Sequence, residues 1–170
     1  MASQDKQDAI KLLTEDHRTV EGLFERFEKA SDSTKKEQIA RQICTELKVH
    51  ALLEEEIFYP ALRGKIDDDD LDEALVEHDG AKMLINEIEA GGPDDEFYEA
   101  KVKVLQEQIE HHVKEEEKQQ GNLFQQARAA DVDLEALGRQ MAARKEELMM
   151  FADAEGALPR AQPATLNSEG

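Results

Sequence analysis

Apolar residues recur along this chain at the three- and four-residue spacing of amphipathic helices, and no segment alternates as a half-buried strand does. Ile10, Leu13, Val20, Phe24 and Phe27 form one stripe and predict a helix over about residues 8–30. Ser31-Asp32-Ser33-Thr34 stops it and offers capping side chains for a second helix over about 35–63, with Ile39, Ile43, Leu47, Leu53 and Ile57 inward. Pro60 should kink the last turn of that helix, and Gly64 closes it. An acidic linker, 67–70, leads through Asp70 as a cap into a third helix, about 71–90, marked by Leu75, Leu84, Ile85 and Ile88. Gly91-Gly92-Pro93 is a strong break. A fourth helix over about 94–129 carries Val102, Leu105, Ile109 and Phe124, and a shorter fifth over about 133–150 carries Leu134, Leu137, Met141 and Leu148. Residues 152–170 mix Ala, Gly, Pro, Ser and Asn and read as a disordered C-terminal tail. The prediction is all-α: an up-down-up-down four-helix bundle with a fifth helix over residues 1–151.

Into the inward stripes fall residues that an apolar core does not ordinarily hold. They are His17, then His50-Ala-Leu-Leu-Glu54, then His78, then His112-Val-Lys-Glu-Glu116. His17 and His50 are 33 residues apart, His78 and His112 34, so one helical hairpin is used twice. Residues i and i+4 share a helix face, which points His50 with Glu54 and His112 with Glu116. His17 is in phase with Leu13 and Val20, His50 with Leu47 and Leu53, His78 with Leu75 and Ile85, His112 with Leu105 and Ile109. A bundle would bring all four imidazoles together.

A lone inward histidine is ordinarily a hydrogen-bonded core residue, and a single HxxxE ordinarily decorates a solvated face. Four in-phase histidines with two repeated HxxxE pairs are another matter. Two buried glutamates beside four imidazoles make a poor core without a cation and a good ligand set with one. His111 with Glu115 also fits HxxxE, but its helical neighbours Glu107, Gln108, Lys114 and Lys118 are polar, so it belongs to solvent or behind the ligands.

Charge and composition narrow the chemistry. The net charge of −19, from 40 acidic and 21 basic residues, opposes binding to nucleic acid or an anionic membrane. No apolar run approaches the length of a membrane span, and the polar N-terminus lacks a signal-peptide core. The single cysteine, Cys44, rules out an internal disulfide and suits a reducing, cytoplasmic compartment; it also rules out thiolate clusters. Any metal is held by nitrogen and oxygen. Tetrahedral zinc would leave two of the six ligands idle. Two six-coordinate irons would take four histidines, two bridging glutamates and a shared oxo or hydroxo group, with positions left for water or a small ligand. The Glu-x-x-His spacing of ferritin-like di-iron sites is absent.

Over about residues 8–130 these motifs resemble the hemerythrin-like proteins with the HHE cation-binding domain. The resemblance rests on Leu13-Thr14-Glu15-Asp16-His17-Arg18, His50-Ala-Leu-Leu-Glu54-Glu55-Glu56-Ile57-Phe58-Tyr59-Pro60, Glu77-His78-Asp79 and His112-Val-Lys-Glu-Glu116-Glu117. It implies a four-helix bundle around a non-haem di-iron site, with His17, His50, Glu54, His78, His112 and Glu116 as ligands. Two features depart from the oxygen-carrying members. No second histidine lies one turn from His78, where Ala74 and Lys82 stand, and Glu117 occupies the place of an aspartate. Both point away from simple oxygen carriage and toward oxygen, nitric oxide or peroxide responses, or iron handling. Glu55, Glu117, Tyr59 and Tyr98 are candidates to support the ligands, with surface or core packing the favoured reading of each. No catalytic residue is singled out. Two other functions remain open: a di-iron enzyme acting on peroxide or repairing iron–sulfur clusters, and a metal-independent interaction module using the fifth helix. Oligomeric state is open.

Overall fold

The computed structural model describes residues 7–166, which form seven α-helical segments and two π turns. Four long antiparallel helices make the bundle. α1 (Ala9–Lys29) begins at Asp8, whose carboxylate accepts from the Lys11 amide at 2.8 Å. α2 (Ser33–Leu53) begins at Asp32, which caps the Lys35 amide in the same way. It runs into a π turn, Glu54–Phe58, and then the short α3 (Tyr59–Leu62). α4 (Asp68–Ala90) is capped by Asp67 rather than Asp70, so the expected acidic linker is the cap and first turn of the helix. Carboxylates there complement the positive end of the helix dipole.

The fourth helix is not continuous over 94–129. α5 spans Tyr98–Val113, a second π turn spans Lys114–Lys118, and α6 spans Leu123–Ala129. Gly121, at φ 70°, reverses the chain, and buried Asn122 restarts the helix by capping the Gln125 amide. Pro60 does not kink a continuous helix either. It stands in the first turn of α3, where a missing N–H is tolerated, after the π turn has already rewound the chain.

The bundle interior has three layers. One apolar cluster contains Leu13, Leu53, Phe58, Leu71 and Phe124; another contains Phe24, Ile43, Leu47, Ile85 and Leu105. The inward histidines fall between them along the helices. α7 (Leu134–Glu155) packs on α1 and α2, burying Met141, Leu148 and Ala152. Gly138 permits its approach: a Cβ there would lie 2.7 Å from the Gln7 carbonyl oxygen and 2.9 Å from the Ala9 nitrogen.

The expected disordered tail takes another form. Residues 152–155 finish α7, Gly156 ends it at φ 84°, and the chain to 166 lies across the bundle as a strap. Lys48 donates to the carbonyls of Leu158 and Pro159, Asn86 exchanges two 2.9 Å bonds with Ala161, and Lys82 donates to the Gln162 carbonyl. Asp79 accepts from the amides of Ala164 and Thr165, and Leu158 is buried. These contacts satisfy a backbone that has no helical bonds of its own. Residues 1–6 and 167–170 lie outside the described residues. Among those described, no helix is long and apolar enough to cross a membrane.

Candidate metal centre

The six sequence-predicted residues converge in the middle layer, and all are buried. His17 Nε2 faces His50 Nε2 at 3.2 Å, and His78 Nε2 faces His112 Nε2 at 3.2 Å. Glu54 Oε1 lies 3.0 Å from His50 Nε2 and 3.3 Å from His78 Nε2. Glu116 Oε1 lies 2.8 Å from His112 Nε2 and 3.5 Å from His17 Nε2. Each glutamate therefore touches one histidine of each pair. The donor atoms group as His17, His50 and Glu116, and as Glu54, His78 and His112.

Behind the imidazoles runs a ring of carboxylates. Asp16 on α1 takes His50 Nδ1 on α2 at 3.1 Å, and Glu55 takes His78 Nδ1 on α4 at 2.8 Å. Glu77 on α4 takes His112 Nδ1 on α5 at 3.1 Å. Glu117 stands opposite His17 Nδ1 at 3.7 Å, beyond hydrogen-bond length. Each carboxylate serves the helix next round the bundle. Lys145 pairs with Asp16, Lys82 with Glu55, and Arg18 with Glu117, fixing the ring from outside. Glu55 and Glu117 are thus placed toward the buried imidazoles. Asp16, Glu77 and the three cations are additions that sequence reasoning did not single out. A signal existed: each carboxylate is the immediate chain neighbour of one of the six inward residues.

The ring decides the tautomers. An Nδ1–H donated to a carboxylate leaves the Nε2 lone pair free, so in the His78–His112 pair two lone pairs meet head-on. Only a proton or a cation between them makes that favourable. Glu54 poses the same demand more strongly. It is 0% exposed, and neither of its oxygens accepts a hydrogen bond. Its near neighbours are imidazole nitrogens, and a carboxylate so buried is costly unless those imidazoles are protonated or a coordinated cation takes the proton's place. The residues present fit a cation pair held by nitrogen and oxygen.

The electrostatics agree. Burial opposes charge on His50, yet the Glu54 charge and the Asp16 hydrogen bond outweigh it and push the imidazole up to about 10. Burial also opposes charge on Glu54, but His50 and its other neighbours hold it well below the usual carboxylate range. His17 goes the other way: burial holds it below an ordinary imidazole, and its Nδ1 has no hydrogen bond. Its ring stacks instead on Phe124, 5.9 Å between centroids.

The first π turn returns Tyr59, five residues after Glu54, to the ligand face. Its hydroxyl donates to Glu116 Oε2 at 3.2 Å and lies 3.4 Å and 3.5 Å from the Nε2 atoms of His78 and His112. Burial, then Glu116, raise its pKa well above the usual phenol value, so the phenol is neutral. Tyr98 is not at the site; it packs on Phe27 in one apolar cluster. His111 is 63% exposed, outside the layer of buried histidines. A cavity of about 530 Å³ opens onto the four imidazoles, walled by Leu47, Ala51, Ile85, Leu148, Phe151 and Leu158.

Residues 8–124 match the family described as Hemerythrin HHE cation binding domain. The chain belongs to the hemerythrin HHE family. A hemerythrin HHE cation binding domain-containing protein from Mycobacterium kansasii, solved by crystallography, superposes with a TM-score of 0.74 at 25% identity, covering 87% of this chain and 91% of that one. A "DNA nickase" from Nostoc sp. (strain PCC 7120) is 32% identical over 111 residues, which are 65% of this chain. This HHE chain spans only 31% of that relative's length. Membership in the HHE family and the two His/Glu clusters together support metal binding.

Proposed function

We propose that this HHE protein holds two non-haem irons, His17 and His50 serving one, His78 and His112 the other, with Glu54 and Glu116 shared. The observation that carries the reading is Glu54, fully buried, with its Oε1 set between His50 Nε2 at 3.0 Å and His78 Nε2 at 3.3 Å, one imidazole of each pair. Iron suits a mixed imidazole and carboxylate set, and a bound pair supplies redox equivalents and an exchangeable position for a small ligand. We read that ligand as oxygen, nitric oxide or peroxide, and the cellular role as sensing, scavenging or iron handling.

The chain's own residues prepare the site for such a ligand. Asp16, Glu55 and Glu77 fix the tautomers of His50, His78 and His112, which turns those three Nε2 lone pairs inward. The apolar walls of the cavity and the strap above it favour small uncharged molecules over solvated ions. Burial pushes the Cys44 thiol up to about 12, so it stays protonated and takes no part; a cytoplasmic setting suits it.

One observation favours a second reading, a di-iron enzyme acting on peroxide. Tyr59 holds a proton within 3.5 Å of Glu116, His78 and His112, which a passive store does not require. DNA binding is not part of either reading, because a net charge of −19 repels phosphate. The test is elemental analysis of protein from iron-replete cells, followed by absorption spectra on adding azide, nitric oxide and peroxide. Two irons per chain and a ligand-dependent charge-transfer band support the proposal. A folded protein that takes up no iron overturns it.

A further inference from the structure

The bundle offers two unlike approaches to the buried site. The large cavity carries Lys48, Lys82, Arg144 and Arg160 in its walls beside Asp16, Glu55, Glu56, Glu77 and Glu147, so opposite charges offset one another there and little net field draws a cation in. On another side lies a small cavity, about 60 Å³, lined by Glu73, Glu77 and Glu115 and by no lysine or arginine. Glu116 lines it too. That carboxylate is 1% exposed, and its Oε1 accepts no hydrogen bond. Oε1 turns to the imidazoles, 2.8 Å from His112 Nε2, so the Glu116 side chain stands between the acidic opening and the buried histidines.

Beside this opening stands a third donor cluster, outside the six ligand residues. His111 Nε2 lies 3.0 Å from Glu115 Oε1 and 3.3 Å from Glu77 Oε2, and the three donor atoms are all within 4.8 Å of one another. Two carboxylates so close repel unless a cation or proton lies between them. Glu77 faces both ways: Oε2 reaches out to His111 and Oε1 reaches in to His112 Nδ1 at 3.1 Å. His111 is mostly exposed, so a cation held there exchanges readily with solvent.

We propose that Glu77, His111 and Glu115 form a surface transfer site, a station where a divalent transition-metal cation is captured and passed through the acidic cavity to Glu116. The proposal rests on the reading of the buried residues as a metal centre. One imidazole and two carboxylates take ions of the ferrous, manganous or cobaltous type. Three donors, one on an exposed side chain, give the weak hold that onward transfer needs. The same carboxylate that anchors His112 from behind then also helps to load the site.

Cobaltous ion is the probe, added to chelated full-length protein. Loading of the buried pair is followed by stopped-flow visible absorption, and the histidine ring resonances by NMR. In the unaltered protein Co²⁺ shifts the His111 resonances and then fills two buried positions. In E115Q and H111A the buried pair reaches the same final occupancy about tenfold more slowly, the scale of an electrostatic focusing effect. In E115Q the His111 resonances do not move before the buried positions fill. H111A alters an exposed side chain and E115Q a half-buried one, and equal melting temperatures verify that both fold. Loading of both variants within about twofold of the unaltered rate, or His111 resonances unmoved before the buried positions fill in the unaltered protein, overturns the transfer site and leaves the buried pair standing. No Co²⁺ at the buried positions of the unaltered protein overturns both.

Discussion

Replacing Glu54 by glutamine keeps the side-chain volume and removes one buried negative charge. Glu54 is fully buried, with His50 Nε2 at 3.0 Å, His78 Nε2 at 3.3 Å and His112 Nε2 at 3.9 Å. In chelated protein its charge holds His50 protonated, so the substitution leaves an uncompensated buried imidazolium or forces it to deprotonate. Breaking one side of a buried pair costs about 3–5 kcal/mol. For a chain of this size each kcal/mol lowers the melting temperature by about 2–4 °C, so the chelated variant should melt roughly 6–20 °C below the chelated parent. Iron changes the comparison. Metal that binds only the folded state raises stability as RT ln(1 + [L]/Kd), so the parent should gain several degrees when loaded. The variant lacks the carboxylate that both histidine pairs share and should lose both iron and the iron-dependent gain. The assay is calorimetric melting of both proteins, chelated and anaerobically loaded with ferrous ion, alongside iron analysis. A Glu54→Gln protein that keeps two irons and the full loading increment refutes the assignment of Glu54.

Further outcomes follow from individual contacts. Gly138→Ala drives a methyl into the backbone of Gln7 to Ala9 and should cost about 1–3 kcal/mol, read as a lower urea midpoint; an unchanged midpoint contradicts the close approach of α7. His50 is raised from 6.5 to about 10 in the chelated protein, so its contribution is full below pH about 6.5 and lost as pH rises through about 10. Urea midpoints of chelated protein should therefore fall between pH 7 and 10.5, and Asp16→Asn should shallow that fall. Tyr59→Phe should retain two irons while slowing peroxide consumption at least about tenfold, the usual worth of a positioned proton donor being about 10²–10⁴; unchanged consumption removes the enzymatic reading. Truncation after Glu155 removes the strap held by Lys48, Lys82 and Asn86, and should speed azide entry without changing iron content.

The layer of buried histidines was legible in the sequence because helical phase is a strong signal. Four histidines in register with Leu13, Leu47, Leu75 and Leu105 can point only inward once the helices pack. The ring behind them was not legible in full. Asp16 and Glu77 belong to a chain with 40 acidic residues, and a carboxylate that serves a neighbouring helix looks in sequence like one that serves solvent. The π turns escaped for a different reason. Adding one residue to a single turn barely disturbs an apolar period read over many turns, yet it is what returns Tyr59 to the site. The break at Gly121-Asn122 carried ordinary turn chemistry, outweighed by the apolar spacing to Phe124 on the far side. The strap was invisible locally, since its order comes from Lys48, Asp79, Lys82 and Asn86, more than 70 residues away along the chain.

The central claim is a bridged iron pair in the middle layer, and Mössbauer spectroscopy in an applied magnetic field, on full-length protein from cells grown with ⁵⁷Fe, addresses it most directly. Two irons per chain in similar nitrogen and oxygen environments, coupled to a diamagnetic ground state when oxidised, are the predicted result. Magnetically isolated iron, a single iron per chain, or a site filled by zinc contradicts it.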